Sequence, residues 1–229
     1  MRRFLALCLV LVAVVAVSCS TGGTYSKTEV STFEERVSYS MGQDVAQSLS
    51  RLDIELDRAA LVQGLIDGLD GNEGLMTPEE QMDTKTEFSQ RMMEATKGRA
   101  EENKSAGEAF LAENTGREGV SVTASGLQYE VITEGSGSKP RSDEYVTVHY
   151  MGTLIDGTEF DSSLGGEPAQ FRLDQVIPGW TEGLQLMTPG SKYKFFVPSA
   201  LAYGERGAGG AIGPNETLIF EVELIAVGD

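Results

Sequence analysis

Gly157-Thr158-Glu159-Phe160-Asp161-Ser162-Ser163, then Phe171, then Val176-Ile177-Pro178-Gly179-Trp180, and later Ala202-Tyr203-Gly204, form the stretch on which the reading of this chain turns. It offers bulky apolar and aromatic side chains, one central carboxylate and several turn residues. No nucleophile–base pair lies among them. A site made of such residues binds something apolar, and any catalysis there works through shape and desolvation. The only histidine of the chain, His149, alternates with Tyr150 on an apparent strand and reads as a packing or surface residue. Gly204 to Gly213 has the glycine content of a phosphate loop. No lysine follows it and no helical pattern starts there, so that reading fails.

Outward from this stretch the apolar period is two. Leu127–Ile132, Tyr145–Leu154, Ala169–Leu173, Ser191–Pro198 and Thr217–Val227 read as five strands. Gly179 to Met187 leaves room for one short helix. Five strands and one helix in about a hundred residues predict a small α+β domain.

Before residue 119 the pattern is helical. Ser31 and Glu34 have capping-box spacing, and Phe33, Val37, Met41, Val45 and Leu49 recur every four residues. Asp57 is an N-cap for a second helix carrying Leu61, Leu65, Ile66 and Leu69, stopped by Gly71-Asn72-Glu73-Gly74. Thr77-Pro78-Glu79-Glu80 starts a third, with proline at the first helical position and glutamate at the third. No proline follows until well past Glu113. One helix of that length would reach roughly 50 Å and stand as a solvated arm; two shorter helices broken near Gly98 or Gly107 are the alternative. The expected organisation is a signal peptide over 1–18, a tether over 19–29, an all-α N-terminal domain over 30–118 with its long connecting helix, and the α+β domain over 119–229.

The leader is read from Met1-Arg2-Arg3, the apolar run Phe4 to Val17, and the small residues Ala16-Val17-Ser18. Ala16-Val17-Ser18-Cys19 resembles a bacterial lipobox, although alanine stands where leucine is usual. That resemblance implies lipidation of Cys19, membrane attachment through the lipid, and a place in the bacterial cell envelope. Ser20 in place of aspartate implies the outer membrane, facing the periplasm or the surface. Cys8 falls within the leader, so the mature chain has one cysteine and no internal disulfide. It carries 16 basic against 35 acidic side chains, a net charge of −19, which disfavours nucleic acid as a partner.

The order of elements and the runs Val148-His149-Tyr150-Met151-Gly152, Asp156 to Ser163, Val176 to Trp180, Ala202-Tyr203-Gly204 and Leu218 to Leu224 closely resemble an FKBP-type peptidyl-prolyl cis–trans isomerase domain. The resemblance implies a half-barrel antiparallel sheet wrapped around one short helix. It also implies that Asp161, Tyr203, Phe220 and Phe160 are catalytic, while Tyr150, Phe171, Val176, Ile177, Trp180 and Ile212 bind substrate. Neither cofactor nor metal is implied. The chain departs from the family in Gly207-Ala208-Gly209-Gly210-Ala211, where many members carry a bulky rim residue. The N-terminal region, with Tyr39-Ser40-Met41-Gly42 at its start, is similar to the helical domain of the macrophage-infectivity-potentiator type of bacterial FKBP. That similarity implies a homodimer through 30–75. The expected function is isomerisation of X–Pro bonds in exported, unfolded polypeptides; the alternative is an envelope chaperone or peptide-binding module whose isomerase activity is incidental.

Overall fold

The computed structural model describes residues 27–50, 52 and 54–228. The leader, Cys19 and the tether up to residue 26 lie outside the described residues. The chain divides into two compact units, one running to Glu55 and one from Leu56 onward.

In the first unit helix α1 spans Phe33–Ser50. Its capping box is one residue later than the sequence spacing predicts. The Glu35 amide donates to Thr32 Oγ1 at 3.2 Å, and Glu35 Oε2 accepts from the Thr32 and Ser31 N–H groups. Ser31 and Thr32 are both N-cap residues by type, and Glu34 and Glu35 both carboxylates, so local spacing alone does not choose between them. None of the side chains of α1 is buried, and Phe33 (69%), Met41 (64%) and Val45 (48%) stay largely exposed.

In the second unit α2 spans Arg58–Asp70. Asp57 caps it by accepting from the Ala59 and Ala60 N–H groups, and Gly71 ends it in the left-handed conformation at φ 67°. Helix α3 spans Pro78–Asn114, 37 residues without interruption, opened by a complete Thr77/Glu80 capping box. Neither Gly98 nor Gly107 breaks it. The solvated arm is correct only for its first part. From Ala100 onward the helix is held to the rest of the unit, first by the loop at Pro214 and Asn215 and then by the sheet, where Phe110 meets Phe196 at 5.9 Å between ring centroids. Gly107 is buried because the Thr217 side chain occupies the space a Cβ would need. Asn114 Nδ2 donates to Gln128 Oε1 and Gln128 Nε2 to the Leu111 carbonyl, both at 2.8 Å.

The sheet has seven strands where five were expected: β1 (Val120–Val122), β2 (Gln128–Thr133), β3 (Tyr145–Leu154), β4 (Glu159–Ser162), β5 (Ala169–Arg172), β6 (Lys192–Val197) and β7 (Leu218–Val227). All pairings are antiparallel, in the order β1-β2-β6-β7-β3-β4. Strand β5 pairs with the first half of β3, opposite Tyr145–Val148, and β4 with the second half, opposite Met151–Thr153. The two strands absent from the sequence reading are β1, three residues at the sheet edge, and β4, four residues inside the stretch read as the site. Helix α4 (Pro178–Leu184) fills the concave side. Its Gly179 and Gly183 let the helix backbone approach the sheet closely. A Cβ would stand 2.5 Å from a Val197 methyl at the first and 2.7 Å from the Phe195 ring at the second.

The core lies between α4 and the sheet. Alternate residues of the strands enter it: Val146, Val148 and Tyr150 from β3, Tyr193, Phe195 and Val197 from β6, and Leu218, Phe220, Val222 and Leu224 from β7. Phe196, next to Phe195, points to the other face. It is buried there by α3 and by the Arg117 guanidinium, 5.4 Å from its ring centroid.

Candidate active site

At one end of this core the side chains part around a cavity of ≈ 470 Å³. Strand β3 brings Tyr150, β4 brings Phe160 and Asp161, β5 brings Phe171, and β7 brings Phe220. Gln175 and Val176 come from the turn after β5, Ile177 and Trp180 from the start of α4, and Tyr203 from the loop after β6. Nine of the ten residues singled out in the sequence therefore surround one space. The tenth, Ile212, does not line it. Ile212 is buried in the core, paired with Ala208 in the small hairpin that carries Gly209 and Gly210. Gln175 joins the wall unannounced, because a single polar residue in a short turn leaves no pattern to read.

The aromatic rings hold one another edge-to-face. Trp180 stands 5.2 Å from Tyr150, 5.4 Å from Phe171 and 5.2 Å from Phe220, at interplanar angles of 86°, 87° and 80°. Phe160 meets Phe220 at 5.5 Å and 86°. Such contacts are favoured by the ring quadrupoles and fix the rings beyond what burial alone achieves. Gly152 makes room for the last pair, since a Cβ there would come within 2.6 Å of Phe160 and 2.9 Å of Phe220. Trp180 and Phe220 are each 4% exposed.

One charged group faces this apolar box. The Tyr150 hydroxyl donates to Asp161 Oδ2 at 2.6 Å, and Asp161 Oδ1 accepts from the Ser162 N–H at 2.9 Å. Burial, reinforced by the carboxylate, pushes the Tyr150 phenol well above its ordinary value, so it stays a donor. Tyr203 is 42% exposed at the mouth. Ile177 is the N-cap residue of α4, so its N–H lies outside the helical ladder. His149 is not in the cavity wall. Its Nδ1 lies 3.1 Å from Ser163 Oγ, and its neighbour in the sheet is Glu223.

The comparisons with known proteins agree with this geometry. A family model for the FKBP-type peptidyl-prolyl cis–trans isomerase matches residues 136–225, and one for the domain amino-terminal to it matches residues 34–131. The chain is 50% identical over 213 residues to the FKBP-type peptidyl-prolyl cis–trans isomerase FkpA of Aeromonas hydrophila, covering 88% of this chain and 79% of that one. It is 44% identical over 225 residues to the outer membrane protein MIP of Legionella longbeachae, covering 96% and 97%. The crystal structure of FkpA from Escherichia coli superposes with a TM-score of 0.62 at 35% identity, over 87% of this chain and 99% of that chain. An all-α region followed by an antiparallel sheet around one short helix, with this identity to its relatives, defines the class. The chain belongs to the family of FKBP-type peptidyl-prolyl cis–trans isomerases.

Proposed function

We propose that the cavity binds the proline of an X–Pro peptide with its ring over Trp180, and that the residues around it accelerate rotation by desolvation and hydrogen bonding. The observation that carries this is the aromatic box with a single carboxylate, already engaged by Tyr150 and Ser162. An X–Pro amide resists rotation by about 18–20 kcal/mol because resonance makes it planar. Twisting it breaks that resonance and reduces its charge separation. An apolar enclosure disfavours the polar planar form relative to the twisted one, which is differential binding of the transition state.

Phe160, Phe171, Val176 and Phe220 are the walls. The Ile177 N–H and the Tyr203 hydroxyl hold the peptide carbonyls, and Asp161 orders the polar rim beside the twisting amide. Ile212 acts from behind, by supporting the rim hairpin. An entrance of Phe160, Tyr203 and Phe220 favours an apolar residue before proline, because a leucine or phenylalanine there gains about 1.5–3 kcal/mol on burial. The test is a protease-free isomerisation assay with short X–Leu–Pro and X–Glu–Pro peptides. Turnover of the first exceeding the second supports the assignment; equal turnover of both overturns the preference.

The finer context is also proposed. Residues 30–118 form the helical region and 119–229 the isomerase domain, which acts on exported polypeptides as they fold. Two chains pair through 30–75, because Phe33, Val37, Met41 and Val45 leave an apolar stripe on α1 that one chain does not bury. Light scattering that finds the unlipidated chain monomeric at micromolar concentration overturns the pairing. The lipobox-like Ala16-Val17-Ser18-Cys19 and the relative named an outer membrane protein support a lipid-anchored envelope protein. Among the described residues no helix is long and apolar enough to cross a membrane. Mass spectrometry of the protein from its native membrane tests for the adduct on Cys19.

A further inference from the structure

Two asparagines tie the loop that begins at Tyr203 to helix α3. From the helix, Asn103 Nδ2 donates to the Pro214 carbonyl at 2.9 Å. From the loop, Asn215 Nδ2 donates to the Ala100 carbonyl at 3.1 Å. The two bonds run in opposite directions between the same short segments, and all the groups are partly shielded from water. The Asn215 N–H in turn donates to the Gly204 carbonyl at 2.8 Å, at the residue that follows Tyr203. Tyr203 is thus connected to α3 through one peptide unit and two hydrogen bonds.

The residue type at 215 is informative. Asn215 has φ 57°, the one positive value at a non-glycine position among the described residues. Glycine adopts that backbone most easily, and Gly204, Gly207, Gly209 and Gly210 do so in the same loop. Asparagine tolerates it and also supplies the amide that reaches the helix. Next along α3, Gly107 seats Thr217, which continues the same line of contact.

We propose that Asn103 and Asn215 are positioning residues of the isomerase: by clasping the loop to α3 they hold the Tyr203 hydroxyl where it meets the substrate carbonyl. Helix α3, which contributes nothing to the cavity wall, thereby sets the activity of the site. The inference rests on the role given above to Tyr203.

The test is a double-mutant cycle in the full chain, read as kcat/KM on a short apolar-X–Pro peptide. Asn215→Gly keeps the left-handed backbone and removes only the side-chain bond; Asn103→Ala removes the bond from the helix side. Each should lower kcat/KM by about three- to tenfold, the scale of one lost hydrogen bond. Each should be nearly silent when combined with Tyr203→Phe, because the group they position is then absent. Hydrogen exchange of the backbone amide at position 215, taken relative to the intrinsic rate of the residue there, should quicken in both. An equal loss with and without the tyrosine hydroxyl, or no loss with the hydroxyl present, overturns the clasp. Tyr203→Phe alone leaving kcat/KM unchanged identifies the failure as that of the Tyr203 assignment instead.

Discussion

Replacing Phe220 by alanine tests the proposed mechanism at its most sensitive point. The side chain is 4% exposed and holds two edge-to-face partners, Trp180 at 5.2 Å and Phe160 at 5.5 Å. Each such pair contributes about 0.5–1.5 kcal/mol beyond area burial. Losing both frees the indole and the neighbouring phenyl ring and opens the wall to water. If the transition state needs both, kcat/KM falls by about 1–3 kcal/mol, roughly 5- to 150-fold. Stability should fall as well, by about 3 kcal/mol. This is the low end for a buried phenylalanine, because one flank is already cavity. A domain stable by about 5–15 kcal/mol remains mostly folded after that loss. The assay is two-dimensional NMR exchange on an X–Pro peptide at a temperature where circular dichroism shows the variant folded. His149→Ala is the control. It removes the one imidazole of the chain, outside the cavity wall, and should leave turnover within about twofold. A folded His149→Ala variant without activity beside an active Phe220→Ala variant would refute catalysis by desolvation.

Three further outcomes follow from single contacts. Tyr150 holds its proton more tightly when folded than when unfolded, so its contribution to stability is complete below about pH 10, the value of a free phenol, and declines as pH rises above it. Urea melts between pH 9 and 11 should show that decline, and Tyr150→Phe should flatten it. Gly107→Ala improves the intrinsic propensity of α3 by about 1 kcal/mol, yet puts a methyl into the space of the Thr217 side chain. The melting temperature should fall; a rise would show that the helix is not seated there. A fragment of residues 125–229 lacks β1 and the cover that Phe110 gives Phe196, so it should melt below a fragment of residues 98–229 in the same buffer.

What could be read in advance depended on how locally each feature is specified. Strand β3 was legible to the residue because ten positions alternate, with Val146, Val148 and Tyr150 inward. Strand β1 pairs only three residues at the sheet edge, and β4 lies inside the stretch already read as the site. Strand β5 was predicted to Leu173, but the chain turns there into a short 3-10 segment that brings Gln175 and Val176 to the cavity. The continuity of α3 through Gly107 is a tertiary fact. By composition a glycine in a helix suggests a break, and only the presence of Thr217, 110 residues later, makes it a seat. The clasp has the same character, since nothing near Asn103 in sequence points to Pro214.

The cavity residues were the legible part of the site because they also build the core. Tyr150, Trp180 and Phe220 belong to the core as much as to the cavity wall. Their types follow from the fold's need for large rings around a short helix whose Gly179 and Gly183 press its backbone on the sheet. A substitution among them therefore mixes loss of packing with loss of catalysis. Tyr203 and the two asparagines are different. Tyr203 is exposed, the asparagines make polar contacts away from the apolar core, and each can be changed with little effect on packing. They are the positions at which catalysis can be separated from stability. If the proposed coupling holds, the activity of the isomerase domain is partly set by a helix that begins at Pro78, far from the sheet in sequence. The covariance of Asn103, Asn215 and Tyr203 in a mutant cycle measures that coupling directly, whereas substitutions in the aromatic box measure it only after stability has been subtracted.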